Sequence, residues 1–413
     1  MMAARRNLKS YRKTEETTSR SLKKPFAVCE HMGRREKAGR SVCYANPTLL
    51  LRRPISELLA QQEGKRRLGL LIPAKGAAHE KKLHHTELFK KVEVLTYPAW
   101  HPPGPFEWPI PVLRFFKRGW KTLSEYDVVH CWAHFYPSTL LLMLKALLHS
   151  KTKVILTMDT LPGYSFSTGK WMDLAFRLYT WTLGRIVYQV PDVITLYGKA
   201  LLPHARKSGI DMRKVKVIPT GIMPHKLPSK RAARQKIMKE FKLKERIVLY
   251  AGLINPRKRV TDVLDVAERM PGTVFLVAGD GPSMKRLKKE SRERQLSNVH
   301  FLGWRKDLLV LMRAADALLF PSGAEGLPGV VMEAMYCGTP VVTTRISCTT
   351  DLITHEEHGL LCEVGDVDAL AVSVERILHN KTLAQRLVRT AKQRITNEYS
   401  WKRILPEYER LYG

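Results

Sequence analysis

The chain has 413 residues, 44% of them hydrophobic, and its 70 Lys and Arg against 38 Asp and Glu give a formal charge of +32. One core rarely grows past about 250–300 residues, so the length predicts two domains. The charge attracts polyanions (nucleic acid, anionic lipid or phosphorylated substrates) without choosing among them. Residues 1–67 hold 17 Lys and Arg against 6 Asp and Glu, and the excess continues through the rest of the chain. That spread favours a basic enzyme with a basic tail over a neutral enzyme with a nucleic-acid arm. The cysteines, at 29, 43, 131, 337, 348 and 362, form no CxxC pair and no zinc-ligand spacing, which predicts a reduced, intracellular protein. The N-terminus has no apolar segment of the signal-peptide kind. No run of about 18 apolar residues appears, and the nearest, 171–190, is broken by Asp173, Arg177 and Arg185.

In chain order, residues 1–64 are rich in Lys, Arg, Ser and Thr without sustained period, and read as a disordered basic extension. The first convincing strand is 68–73 (LGLLIP). Apolar runs at 92–97, 128–130, 154–158, 193–196 and 215–218 then alternate with longer stretches such as 138–148 and 170–187. Strands alternating with helices predict βαβ units and a parallel sheet. The segment 219–230 (PTGIMPHKLPSK), with three prolines and a glycine, breaks the pattern and reads as an interdomain linker. A second series follows. Its strands are 247–251, 273–278, 299–302, 317–320 and 341–344; its helices are 261–270, 282–294, 306–314, 329–337, 366–378 and 383–395, with a last amphipathic piece at 401–411. The expected fold is two Rossmann-like, doubly wound α/β domains facing a cleft. The first is 65–222 and the second 223–397, with 398–413 a candidate to pack back on the first. Ligands in such sheets bind beyond the carboxyl ends of the strands.

The stretch 320–342 (FPSGAEGLPGVVMEAMYCGTPVV) carries the most chemistry. A strand ends at Phe320, a loop holds Ser322, Glu325 and Gly326, and a helix begins near Gly329 and carries Glu333. The free N–H groups and positive end of that helix suit an anion, and a carboxylate on it can accept from a pair of sugar hydroxyls. A surface loop followed by a helix with an early Glu is the competing reading of the two carboxylates.

This stretch resembles the signature of glycosyltransferase family 4, E-G-[FL]-x-x-x-x-x-E-A-M-x-x-G-x-P-V-V. Further segments are similar in the same order: 250–260 (YAGLINPRKRV), 278–282 (AGDGP), 298–307 (NVHFLGWRKD), 315–321 (ADALLFP) and 358–361 (HGLL). The resemblance covers roughly 68–413 and is densest from 215 to 380. It implies a GT-B fold and a retaining transferase that moves a hexosyl-type sugar from a nucleotide diphosphate sugar to a hydroxyl. It implies that Lys258 contacts the donor diphosphate, Glu333 the ribose hydroxyls and Glu325 the transferred sugar. Backbone around Gly326, Gly329 and Val330 would support sugar and phosphate. Gly281 belongs to the second glycine loop, and Gly303 and Trp304 would lie near the base. Gly76 would follow the first strand, where the family brings backbone close to the diphosphate.

Two departures stand out. The family usually places Arg after the glycine of the 250s strand, whereas Leu253 follows Gly252 here; Arg257 or Arg259 are candidate replacements, guanidinium being suited to phosphate. The family often has His where Met158 stands, which makes Asp159 the candidate first-domain contact to sugar or acceptor, or else a turn residue before Pro162 and Gly163. The resemblance implies front-face displacement, in which the leaving phosphate takes the acceptor's proton. Lys258, a neighbouring guanidinium and the helix N-terminus could carry the leaving charge. Neither a metal nor another cofactor is expected. His79, His84, His85, His130 and His134 have no carboxylate or Cys partners at ligand spacing.

Aromatics and cations at 97–123, among them Phe115, Phe116 and Trp120 beside Arg114, Lys117, Arg118 and Lys121, suit either a membrane interface or a helix packed on its own sheet. On the first reading the acceptor is a lipid or a polyprenyl-linked glycan and the enzyme is cytoplasmic, peripheral on an anionic membrane face. The alternatives are a GT-B pseudoenzyme, a phosphorylase, or a nucleic-acid-binding protein. The last lacks any RNA- or DNA-binding signature, so no specific nucleic-acid partner is expected.

Overall fold

A computed structural model describes residues 39–45, 55, 58–59, 62, 65–75, 92–100, 110–111, 123–148, 151–165, 167, 169–223 and 226–413. The loop at Gly76 and the segment with Phe115, Phe116 and Trp120 lie outside them.

The first sheet contains β1 (Gly39–Ala45), β2 (Arg66–Lys75), β3 (Val92–Trp100), β4 (Ile110–Pro111), β5 (Val128–Trp132), β6 (Lys153–Met158), β7 (Val193–Leu196) and β8 (Val215–Val217), in the order β4-β3-β2-β1-β5-β6-β7-β8. All its pairings are parallel except β3 with the edge strand β4. The second sheet contains β9 (Arg246–Ala251), β10 (Thr273–Ala278), β11 (Val299–Gly303), β12 (Ala317–Phe320), β13 (Val341–Thr344) and β14 (Leu360–Cys362), in the order β11-β10-β9-β12-β13-β14, parallel throughout. Strands such as β5, β9, β10 and β12 are near-continuous apolar runs because helices cover both faces of a parallel sheet.

The helices, in chain order, are α1 (Pro137–Ala146), α2 (Lys170–Trp181), α3 (Leu183–Gln189), α4 (Leu202–Lys207), α5 (Lys230–Phe241), α6 (Val260–Arg269), α7 (Met284–Glu293), α8 (Leu308–Ala314), α9 (Gly329–Cys337), α10 (Ser347–Leu352), α11 (Val367–His379), α12 (Lys381–Glu398) and α13 (Trp401–Tyr412). The single helical stretch expected at 170–187 is two helices. The break falls at Thr182, whose backbone at φ −104°, ψ −99° lies outside the helical region. The helices α5 and α10 and the strand β14 are additions to the elements read from sequence.

The basic extension expected over 1–64 is corrected by β1, which lies inside that span yet sits between β2 and β5 in the middle of the sheet. Val42, Cys43 and Tyr44 are fully buried. Ile55, Leu58, Leu59 and Gln62 are also buried and helical, at the spacing of one helix face. The strand 68–73, taken as first, is therefore the second.

The chain crosses between the two sheets twice, and the crossings run side by side. Ile222 N–H donates to Tyr399 O at 2.8 Å, Trp401 N–H donates to Ile222 O at 3.4 Å, and a Cβ on Gly221 would meet the Trp401 ring at 2.8 Å. Beyond this point α13 lies on the first sheet, where Ile404, Tyr408, Leu411 and Tyr412 share a core with Val42, Tyr44, Val128 and Trp132. Tyr412 Oη bonds His130 Nδ1 at 2.9 Å, and Lys153 Nζ donates to Leu411 O at 2.6 Å.

Candidate active site

In each sheet the strand order reverses direction beside a central strand, at β1/β5 in the first and β9/β12 in the second. Loops leaving such neighbouring strands diverge and open a crevice at their carboxyl ends. At β9/β12 these loops are 252–258 and 321–328, the segments that carry Lys258 and Glu325. At β1/β5 they follow Ala45 and Trp132. Gly76 follows β2 rather than the central strand, so its assignment to the loop after strand one is corrected.

The 252–258 loop is shaped by close backbone packing. Gly279 has φ +144°, and a Cβ there would stand 1.8 Å from Gly252 O. The loop continues into a 3-10 turn, Pro256–Lys258, capped by Asn255, whose Oδ1 accepts from Lys258 N–H at 3.1 Å. Lys258 ends this turn. Its Nζ donates to Glu325 Oε1 and stands 5.2 Å from the Phe320 ring centroid. Ser322 Oγ donates to the same Glu325 oxygen at 2.5 Å. The two side chains are only 12% and 8% exposed. Burial lowers the Lys258 pKa, Glu325 opposes that shift, and the Arg257 charge adds to it.

Above this pair lies a cavity of about 540 Å³ between the two sheets. Phe135, Tyr136, Asp159, Thr160, Pro162 and Tyr197 line it from the first sheet's side, and Arg257, Glu325, Gly326, Leu327, Gly329 and Met332 from the second's. Thr220, Gly221 and Ile222 of the first crossing complete the lining. The sides touch at one point, where a Cβ on Gly326 would come 3.1 Å from both Asp159 Cβ and Asp159 O. The α9 helix starts at this wall, with Pro328 as its N-cap and no side-chain cap, so its first N–H groups and positive dipole end are directed toward the cavity wall.

Of the residues singled out in the sequence, Arg257, Glu325, Gly326, Gly329 and Asp159 meet in this cavity, while Lys258 sits behind Glu325. Gly281, Trp304, Val330 and Glu333 are not among the lining residues; Trp304 is 70% exposed and Glu333 is half-buried one turn into α9. The cation on the cavity wall is Arg257, whereas Leu253, where the family has Arg, is half-exposed. Met158 is fully buried.

Sequence reasoning missed Phe135, Tyr136 and Tyr197. Phe135 and Tyr136 leave the switch point after β5, which becomes visible only once β1 is known to be central. Next to them, Ala133 takes a left-handed φ of 60°, and His134 is buried with no partner at Nδ1. Burial lowers the His134 pKa to about 4, against the opposing charge of Asp159. A second contact across the sheets is Asp351, whose carboxylate accepts from Ala200 N–H at 3.1 Å. Among the described residues no cluster of three or more His, Cys, Asp or Glu is arranged to hold a metal.

Comparison with known proteins gives this geometry a family. Residues 70–226 match the model for Glycosyltransferase Family 4 and residues 233–394 the model for Glycosyl transferases group 1. The chain is 32% identical over 172 residues to a glycogen synthase of Mycobacterium tuberculosis, a match covering 40% of this chain and 42% of that protein. It is 24% identical over 300 residues to the UDP-Gal:alpha-D-GlcNAc-diphosphoundecaprenol alpha-1,3-galactosyltransferase of Escherichia coli, covering 70% of this chain and 76% of that one. The chain spans less than half the length of several curated relatives it matches. Among solved structures, Anabaena Alr3699/HepE in complex with UDP and glucose superposes with a TM-score of 0.73 at 16% identity, over 90% of this chain and 98% of that one. Sucrose-phosphate synthase from Thermosynechococcus elongatus gives 0.72 at 18% identity, with the same coverage. The fold is GT-B, and the chain belongs to glycosyltransferase family 4.

Proposed function

We propose that this protein transfers a sugar from a nucleotide diphosphate sugar to a hydroxyl acceptor, with retention at the anomeric carbon and without a metal. The observation that carries this reading is one cavity with Arg257, Glu325 and the start of α9 on one wall and Asp159 and Thr160 on the other. A diphosphate against Arg257 and the α9 N-terminus would meet a guanidinium and free N–H groups, the donors that best match phosphate oxygens. Glu325 would accept from hydroxyls of the transferred sugar, with Lys258 and Ser322 holding its other face. Glu333 would accept from the ribose hydroxyls. Asp159, on the opposite wall, would receive the acceptor or the sugar. The bond from the anomeric carbon to the phosphate oxygen breaks as the bond to the acceptor oxygen forms on the same face, and the leaving diphosphate takes the acceptor's proton. Arg257, Lys258 and the helix end stabilise the charge that develops on the diphosphate. UDP is the first nucleotide to try, since the Anabaena neighbour was solved with it.

The test is turnover of a panel of nucleotide sugars by the full chain, read as release of nucleoside diphosphate. Hydrolysis or transfer of at least one donor, reduced about tenfold or more in Arg257→Ala, supports the reading. A second reading, a nucleotide-binding protein without turnover, draws on Leu253. It would be favoured by tight nucleotide binding with no donor consumed.

A further inference from the structure

The helix α2 exposes large apolar side chains along one stripe. Trp171, Leu174, Leu178 and Trp181 are 84%, 58%, 58% and 70% exposed. At 3.6 residues per turn these four positions fall within an arc of about 80°. Single exposed apolar residues are ordinary, but a contiguous stripe with an indole at each end marks a contact surface. Lys170 lies along one border of the stripe, and exposed Arg185 follows on α3.

The other side of the same helix fastens the cavity's rim. Arg177 Nε donates to Gly163 O at 2.9 Å, Tyr179 Oη donates to His134 O at 2.7 Å, and Thr180 Oγ1 bonds Tyr164 Oη at 2.8 Å. The Phe176 ring stands edge-on to Phe135, with centroids 6.0 Å apart. These partners belong to the segments 134–136 and 159–165, which supply Phe135, Tyr136, Asp159, Thr160 and Pro162 to the cavity. One helix thus joins an exposed apolar stripe to the first-domain wall of the site.

We propose that α2 is a membrane-docking element: it seats the Trp171, Leu174, Leu178 and Trp181 stripe in the headgroup layer of an anionic bilayer and so presents the first-domain rim of the cavity to a lipid-anchored acceptor. The acceptor half of this inference rests on the transferase reading; the docking half does not. Two observations select a bilayer as the occupant. Lys170, Arg185 and the chain's charge of +32 complement anionic headgroups. Indoles at both ends suit the boundary between acyl chains and headgroups, where an apolar ring and a polar N–H are both satisfied. Among the described residues no helix is long and apolar enough to cross a membrane.

The experiment is co-sedimentation of the full chain with vesicles of phosphatidylcholine, with and without phosphatidylglycerol, at physiological salt. Two variants accompany it: W171S/W181S, and Lys170→Glu with Arg185→Glu. Wild type should partition onto the anionic vesicles with a blue shift of tryptophan fluorescence. The indole variant should bind at least about tenfold more weakly, and the charge variant about fivefold more weakly for each cation removed. Both should keep the wild-type thermal transition and soluble-donor hydrolysis. Unchanged vesicle binding in both variants overturns the proposal. So does a wild-type dimer that the indole variant converts to monomer, since the stripe would then cover a second copy. If the indole variant fails to fold, the charge variant and the wild-type fluorescence shift decide alone. Vesicle binding with these losses but no donor turnover in wild type upholds the docking element and removes the transferase reading instead.

Discussion

Lys258 and Glu325 form an ion pair almost sealed from solvent, and the cavity beside them is lined by Glu325 and Arg257 but not by Lys258. On the proposed function the lysine would fix the carboxylate that faces the sugar, and Arg257 would be the cation presented to an incoming diphosphate. In such a pair the loss of one member costs more than the loss of both, because it strands a buried charge. Lys258→Met should destabilise the protein by about 3 kcal/mol, and adding Glu325→Gln should recover part of that. Urea unfolding of the two single variants and the double variant checks this; additive losses would show that the two charges are not coupled.

Gly326 is where the two walls touch, and a Cβ there would sit 3.1 Å from Asp159. Gly326→Val should push Asp159 away from the donor wall. Turnover should drop at least about tenfold while the thermal midpoint changes little, as misplacement near reacting groups is far costlier for rate than for fold. Wild-type turnover in this variant would mean that Asp159 and the donor loop need not approach.

His134 gives the fold a pH dependence. Its pKa falls from the ordinary 6.5 to about 4 on burial, so the unfolded chain binds the extra proton first as pH drops. The associated stability is full above pH 6.5 and is lost progressively toward pH 4. Between pH 7 and pH 5 this one group should remove about 2 kcal/mol. Burial lowers the His130 pKa as well, so part of the slope remains without His134. Chemical denaturation of His134→Gln at both pH values should show a loss about 2 kcal/mol smaller than in wild type. An identical loss would place the acid sensitivity elsewhere.

On the proposed mechanism transfer should continue in EDTA, because Arg257 and the α9 N-terminus would supply the positive field that a metal supplies elsewhere. Activity abolished by EDTA and restored by Mg²⁺ or Mn²⁺ would remove the metal-free mechanism.

Five of the six strands of the second sheet were legible in the sequence because they are short apolar runs with glycine loops between them, and the loop carrying Glu325 has its own pattern; the three-residue edge strand β14 was not. The first sheet was less so. The central strand GRSVCYA carries Ser41 among apolar residues and follows a long basic stretch, so composition drew it into the extension. The side chains opposite Glu325 were unreadable for a different reason. Phe135, Tyr136 and Tyr197 look like core aromatics along the chain, and only the pairing of β1 with β5 and the apposition of Asp159 to Gly326 turn them toward a cavity. Arg257 was one of two neighbouring guanidinium groups in sequence. Arg257 lines the cavity, whereas Arg259 is not among the lining residues and bonds Asp262 at 2.8 Å.

The central claim is that a nucleotide diphosphate binds between Arg257 and the start of α9, and calorimetric titration of UDP, GDP and ADP into wild type and Arg257→Ala tests it most directly. At least one of the three should bind wild type with a micromolar Kd, and Arg257→Ala should weaken that ligand about tenfold or more, the value of a charged hydrogen bond to phosphate. Failure of all three to bind, or equal affinity in the two proteins, would contradict the account.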